Sequence, residues 1–209
     1  MSSRVNAPAL AADPSNDLFW RFDMRRLCAE EVRDSILAVN GKLSTKMYGR
    51  DVYPEIPREV LAGQSRPGYG WPKSPPEEQN RRSVYAHVKR SLIVPILESF
   101  DAPETDRSTA VRFATTQPTQ ALAMLNSDYL NQQAAELAQR VRHEAGGVIA
   151  AQVRRALQLA LSRPPTADEA RCGLELIESF RCQDHMAAEA AVKYFCLLVL
   201  NLDEFMYLD

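Results

Sequence analysis

Apolar residues recur every three or four positions over much of this chain, which is the spacing of amphipathic α-helices. Between residues 128 and 145 the repeated positions are Leu130, Ala134, Leu137 and Val141. The same spacing predicts helices over Cys28–Asn40, Asp128–Ala145, Val148–Leu161, Ala167–Phe180 and Met186–Leu202. No alternating strand pattern is longer than four residues. The sequence therefore predicts an all-α fold, an irregular helical bundle of about five to seven helices.

The last predicted helix is apolar on nearly every side, so we expect it at the centre of the bundle. Its inward positions are predicted to be Ala191, Tyr194, Phe195, Leu198 and Leu202.

The stretch 80–126 departs from this regular spacing. Tyr85, Val88 and Leu92 would share one face of a basic, amphipathic helix, which Pro95 would interrupt because proline lacks an N–H. The run 116–118, Thr-Gln-Pro, predicts the start of a further helix with proline in its first turn.

Residues 42–80 predict a long irregular loop, because proline and glycine interrupt every helical pattern there. These interruptions are Pro54, Pro57, Gly63, Pro67, Gly68, Gly70, Pro72, Pro75 and Pro76. Tyr69 and Trp71 lie inside the loop beside glycine residues. Two such aromatic side chains either stack on a sugar or base, or plug the loop into the core. We favour the plug.

Length and composition predict one globular domain. The chain has 209 residues, of which 45% are hydrophobic and 25% charged. We expect a flexible N-terminal lead-in over residues 1–17 and a single helical domain over 18–209. A net charge of −2 gives no strong attraction to nucleic acid or to anionic membranes. The most apolar window, 194–202, is too short to span a bilayer.

Familiar catalytic and cofactor motifs are absent from the sequence. It contains no G-x-S-x-G, Walker loop, H-E-x-x-H or C-x-x-C-H haem attachment signature, and its three histidines are isolated. We therefore expect no metal or cofactor in this chain. If the chain is an enzyme, its catalytic residues are unknown.

The strongest polar constellation lies in the central stretch. Its members are Arg82, Asp101, Arg112, Thr116, Gln120 and Asn126. The guanidinium of Arg112 suits a carboxylate such as Asp101, or a sulfate or phosphate group. A helix start at 116–120 also offers free N–H groups to an anion. Two interpretations remain open: an anion or carbohydrate site, or a buried polar network that pins an irregular crossing. We favour the network.

The run RRSVY…KR…P-x-LESFDAP…R…TTQPTQALAMLN, within residues 81–126, resembles the uncharacterised C-terminal domain of large planctomycete-type proteins. Three further stretches fit this resemblance, at 20–27, 161–166 and 201–207, so that it extends from about Phe19 to the C-terminus. The resemblance implies a domain of unknown function. It also implies parent proteins that are exported and that often carry a c-type cytochrome domain.

Two functional hypotheses follow. The first is a non-catalytic helical interaction or structural domain, which docks on other domains of a larger exported parent, on a partner chain, or on a second copy. The alternative is a carbohydrate- or anion-binding, hydrolase-like module near the 112–120 helix start. It predicts a pocket lined by Tyr69, Trp71, Arg112 and Gln120. Residues 1–17 lack the apolar run of a signal peptide, so an exported or periplasmic location rests on the resemblance alone.

Overall fold

The computed structural model describes residues 3–208, and helices dominate this part of the chain. Helices α1 to α11 span Ala7–Ala12, Ala29–Val39, Arg58–Ala62, Pro76–Gln79, Pro95–Ser99, Pro118–Asn126, Asp128–Ala145, Ile149–Leu161, Ala167–Cys182, Ala188–Val199 and Asp203–Met206. One antiparallel pair of two-residue strands joins β1 (Arg25–Arg26) to β2 (Tyr207–Leu208). The predicted all-α class is confirmed. The predicted bundle corresponds to the six helices of nine or more residues, α2 and α6 to α10.

Helix α10 lies at the centre of a four-helix arrangement, because it packs against α7, α8 and α9. Its predicted central position is therefore confirmed. Ala191 and Phe195 are buried as expected, whereas Tyr194 and Leu198 are exposed, which corrects their predicted orientation. The three neighbouring helices cover only three sides of α10, so its remaining side faces solvent although it is apolar.

Local capping signals fix the ends of the bundle helices. The Ser127 hydroxyl accepts the Leu130 N–H at 3.3 Å at the start of α7. At the start of α9, Thr166 and Glu169 exchange backbone-to-side-chain hydrogen bonds of 2.7 and 3.2 Å, as the predicted capping box requires. Gly146 ends α7 with a φ of +71°, a conformation that favours glycine.

The predicted amphipathic helix over 81–92 is wrong. Residues 83–85 form a single 3₁₀ turn, and isolated bridges join Arg81 to Ser44 and Ala86 to Val52. Val88, which was expected on the apolar face, is exposed. The segment 42–92 is thus a folded-back, mostly irregular unit that includes only the short helices α3 and α4.

The reason lies in the side chain of Arg81, which is only 2% exposed. Its guanidinium donates to the backbone carbonyls of Lys46, Tyr48 and Arg50 at 3.3, 2.5 and 3.0 Å. The ring of Tyr85 covers it, with its centroid 3.9 Å from the guanidinium carbon. These buried hydrogen bonds satisfy backbone carbonyls of residues 46–50 and stabilise the irregular conformation.

A second buried guanidinium ties this unit to α2. Arg33 donates to the carbonyls of Gln79 and Arg81 at 2.6 and 3.0 Å, and to the Ser83 hydroxyl at 3.1 Å. The neighbouring Asp34 accepts the Ser83 N–H at 2.7 Å. Two adjacent residues of one helix therefore fix the backbone path of residues 79–83.

The N-terminal lead-in predicted over 1–17 contains helix α1. After it, Asp13 and Asn16 are buried, and the Trp20 indole N–H donates to the Asp13 carbonyl at 2.9 Å. Residues 13–20 thus form an ordered turn. The division into a flexible lead-in and a domain over 18–209 stays a prediction.

Replacing Gly173 tests the close approach of α9 to its neighbours. A Cβ atom at Gly173 would lie 2.7 Å from Val153 Cγ1 and 2.9 Å from Phe195 Cε2. We expect Gly173→Ala to lower the free energy of unfolding by about 1–2 kcal/mol, because overpacking outweighs the higher helix propensity of alanine. Gly147→Ala is the control, since a Cβ there meets nothing within 4 Å. Equal stability of the two variants in urea denaturation would contradict the close packing.

Adjacent arginines allow a matched test of the buried guanidinium. Arg81→Met leaves three carbonyls without their donor, and we expect a loss of about 3 kcal/mol in unfolding free energy. Arg82 is 53% exposed, so Arg82→Met should change stability by less than about 0.5 kcal/mol. Urea denaturation of both variants is the measurement. Similar losses in both would show that Arg81 does not hold the segment.

Candidate functional site

A compact polar network surrounds Asp101, one of the residues singled out in the sequence. Asp101 follows α5 with a φ of +62°. Its carboxylate accepts the Arg26 guanidinium at 2.6 Å, and both the N–H and the hydroxyl of Thr115 at 2.8 Å. These bonds join three distant parts of the chain: β1, the end of α5, and the segment before α6.

Thr115 connects Asp101 to Gln120, which is buried. The Gln120 amide nitrogen donates to the Thr115 hydroxyl at 3.2 Å, and its side-chain oxygen accepts the Gln117 N–H, also at 3.2 Å. Gln120 therefore caps α6 from within the helix. Because its amide already has partners on both sides, it reinforces the start of α6 and is not displayed to a ligand.

The charges of the network are held in a sheltered environment. Burial favours a raised pKa for Asp101, but the hydrogen bonds from Thr115 and Arg26 outweigh it, and the pKa of Asp101 lies below its ordinary value. The Arg26 side chain is 6% exposed and its guanidinium lies over the Phe100 ring at 5.2 Å. Arg26 Nε and Nη1 are buried without a hydrogen-bond partner among residues 3–208. Asp101 thus supplies the carboxylate of a partly buried ion pair.

The other predicted polar residues lie elsewhere. Arg112 does not pair with Asp101, as its chemistry had allowed; it forms a bidentate ion pair with Glu30 at 2.7 and 2.6 Å. This contact lowers the pKa of Glu30 and raises the pKa of Arg112. The Thr116 hydroxyl lies 3.3 Å from the Tyr207 hydroxyl. Each of these contacts ties the segment before α6 to α2 or to the C-terminal strand.

Arg82 and Asn126 also stay apart from the network. Arg82 lies 3.8 Å from the Asp34 carboxylate and is largely exposed. Asn126 is exposed at the end of α6. Of the six predicted site residues, the structure brings together only Asp101 and Gln120, and it does so through Thr115, a residue that the sequence reasoning had missed.

The loop aromatics point in different directions. Trp71 is 7% exposed, donates its indole N–H to the Pro54 carbonyl at 3.0 Å, and meets the Tyr53 ring edge-on at 5.4 Å. Tyr69 is 67% exposed, with the Arg66 guanidinium 5.4 Å from its ring centroid. Trp71 therefore acts as the expected plug, while Tyr69 does not.

The four residues of the hydrolase-like hypothesis do not share a pocket. Trp71 is in the core, Tyr69 is on the surface, Arg112 is bound to Glu30 and Gln120 caps α6. None of the four lines either of the two principal cavities within the described residues.

The larger of these cavities has a volume of about 650 Å³ and lies elsewhere. Its walls come from α2, residues 54–80, α5 and the junction between α6 and α7. Of the predicted residues only Asn126 lines it. In the sequence, this cavity is indicated only by the run Asn131-Gln132-Gln133 near the start of a predicted helix. Because carboxamides are common on solvated helix faces, that run does not by itself predict a site.

Across residues 3–208, no three side chains of His, Cys, Asp or Glu form a group able to hold a metal ion. Within the same range, each helix is too short or too polar to cross a bilayer.

The Asp101 network generates a prediction about pH. Because the folded-state pKa of Asp101 is lowered, its contribution to stability is present above the pKa of the unfolded chain and disappears as pH falls through the folded-state pKa. Asp101→Asn should lower the unfolding free energy at pH 7 by about 2 kcal/mol and flatten its decline below about pH 4. Asparagine tolerates the positive φ, so the substitution isolates the charge.

The exposed Asp184 serves as the control, since its side chain makes no hydrogen bond or ion pair within residues 3–208. Thermal denaturation of both variants between pH 3 and pH 7 is the measurement. An Asp101→Asn curve parallel to that of Asp184→Asn would contradict the role given to the network.

Comparison with known proteins gives one result. Neither a curated protein nor a solved structure matches the chain. A family profile, PSD1, described as "Protein of unknown function (DUF1553)", matches residues 1–177. The match includes the first 18 residues, which the resemblance had left out, and ends within α9, so the stretch 201–207 lies outside it. It covers well over half of the 209 residues, and the chain therefore belongs to this family of unknown function.

Proposed function

We propose that this chain is a non-catalytic interaction domain that docks through the segment 42–92 onto an acidic surface of a larger parent protein or of a partner. The observation that carries the proposal is a separation of charge. Residues 42–92 hold ten Lys and Arg against five Asp and Glu, a net charge of +5. The whole chain has a net charge of −2, so the remainder carries −7. We call residues 42–92 the basic segment.

Many cations of the basic segment are not neutralised within the domain. Arg50, Arg58, Arg66 and Arg90 have no carboxylate within 4.0 Å among residues 3–208. Most arginines outside this segment are paired, although Arg154 and Arg181 are not within the described residues: Arg163, for example, lies 2.6 Å from both Glu169 and Glu204. Uncompensated positive charge attracts and orients a negatively charged partner during association.

Aromatic side chains on the same segment are exposed, and hydrogen bonds hold the backbone that carries them. Tyr48 is 78% exposed, yet its N–H donates to the Tyr85 hydroxyl at 2.9 Å and its carbonyl is bound by Arg81. Tyr69 is also exposed, and Lys89 donates to its carbonyl. Tyrosine and arginine are among the residue types that dominate binding energy at interfaces, and an ordered backbone loses less entropy on binding. Both properties support a docking surface.

The second part of the proposal concerns the larger protein that contains this domain. We propose a larger, exported protein of planctomycete type, in which a c-type cytochrome domain accompanies this one, on the strength of the resemblance in residues 81–126. Any haem of that parent would be attached outside this chain, because the chain has no C-x-x-C-H motif.

Binding to an acidic polypeptide tests the basic segment. We expect the chain to be retained on immobilised poly-L-glutamate at low ionic strength and released at about 0.2 M NaCl, where charge interactions are screened. The double variant Arg66→Ser/Arg90→Ser should be released at a clearly lower salt concentration, because both cations lie on the proposed surface.

The control is Arg154→Ser/Arg181→Ser, which changes the net charge equally but removes exposed cations of α8 and α9. Its release should match that of the unmodified chain. Equal shifts in both double variants, or no retention of the unmodified chain, would contradict docking through the basic segment. Sedimentation velocity at the same salt concentrations would report whether a second copy is the partner.

A further inference from the structure

The cavity of about 650 Å³ has the dimensions of a small-molecule site, a class that commonly occupies roughly 300–1,000 Å³. It lies between the bundle and the irregular segment. Its apolar wall includes Val94 and Phe100 around α5, and Met124 on α6. These three side chains are buried, so the cavity enters the protein and is more than a surface depression.

The six charged groups that line the cavity sum to zero net charge, and all of them except Asp128 have polar partners among residues 3–208. Lys42 lies 2.9 Å from Glu136, and Lys73 lies 2.9 Å from Glu55. The guanidinium of Arg33 is occupied by two carbonyls and a hydroxyl. An ionic ligand would have to compete with these contacts. The cavity lining therefore favours an uncharged ligand.

Carboxamides supply the polar groups that remain. Gln133 is 7% exposed, and its side-chain oxygen accepts the Asn40 amide at 2.5 Å. Its amide nitrogen has no acceptor among residues 3–208 and keeps some accessible surface, although the residue as a whole is more than nine-tenths buried and lines the cavity. Asn80, Asn126 and Gln132 also line the cavity with amides that make no hydrogen bond inside the described part of the chain.

A further unmatched group borders the same space. Tyr129 lines the cavity, and its hydroxyl is buried without a partner among the described residues. Buried polar groups without partners destabilise a fold by about 1–3 kcal/mol each. The Tyr129 hydroxyl is covered by protein, so the unpaired carboxamide groups are the ones whose hydrogen bonds a ligand in the cavity can complete.

We propose that this cavity binds a small, uncharged, polyhydroxylated ligand of the size of a mono- or disaccharide. Carboxamides both donate and accept, so they pair with neighbouring hydroxyl groups, and the apolar wall suits the C–H face of a sugar ring. The cavity is not lined by Arg50, Arg58, Arg66 or Arg90, cations of the basic segment that are unpaired within the described residues. It also lies away from the 112–120 helix start, whose polar groups are already paired.

Side-chain amide resonances provide a direct test in the full chain. Maltose, cellobiose and lactose are titrated separately into ¹⁵N-labelled protein. We expect saturable shifts of the Gln133 and Asn126 side-chain amide signals with at least one of these disaccharides. Gln132→Ala should weaken that binding by about fivefold, the effect of one lost hydrogen bond. Gln139→Ala is the control, because Gln139 is exposed on the same helix but does not line the cavity.

A second variant separates binding from folding. Ala123 lines the cavity and is half-buried, so Ala123→Phe should fill the space and abolish the shifts while the backbone spectrum of the bundle is retained. Absence of saturable shifts with all three disaccharides would overturn the proposal. So would binding of sodium sulfate or of a capped trialanine peptide at the same signals without binding of the sugars, and so would equal losses in Gln132→Ala and Gln139→Ala.

Discussion

Buried guanidinium groups that donate to backbone carbonyls hold the irregular half of this protein together. Arg81 binds three carbonyls in residues 46–50, and Arg33 binds two in residues 79–81. A segment with so many prolines cannot satisfy its carbonyls through a helix, and unpaired buried carbonyls are strongly unfavourable. Arginine offers five donors in a rigid plane, so one side chain replaces several backbone bonds. The two arginines thereby satisfy backbone carbonyls in this segment, as the backbone hydrogen bonds of the helices do in the bundle.

The bundle depends on a different constraint, close packing around α10. Gly173 brings α9 so close to Val153 and Phe195 that even the Cβ atom of an alanine would require these side chains to shift. The irregular segment is joined to α2 of the bundle by short polar contacts, those of Arg33 with the Gln79 carbonyl and of Asp34 with the Ser83 N–H. Both are charge-assisted hydrogen bonds, which are directional and stronger than neutral ones.

The regular helices could be predicted because their signals are local. Periodic apolar positions, the Thr166–Glu169 capping box and Gly146 act within a few residues of the structure that they determine. The irregular segment could not, because the partners of Arg81 are carbonyls that precede it by more than thirty residues. The candidate site could not be predicted for the same reason: Arg112 binds Glu30, which is 82 residues away in the sequence, and not Asp101, which is much nearer in the sequence. The positive charge of Arg112 does not by itself determine which of the two carboxylates it binds.

These long-range contacts also connect the two surfaces to which we assign function. Arg33 binds the Gln79 carbonyl on the cavity wall and the Arg81 carbonyl beside it. Arg81 in turn holds the Tyr48 carbonyl and so the exposed tip of the basic segment. The positions of the cavity wall and of the exposed tip therefore depend on the same two buried side chains, Arg33 and Arg81.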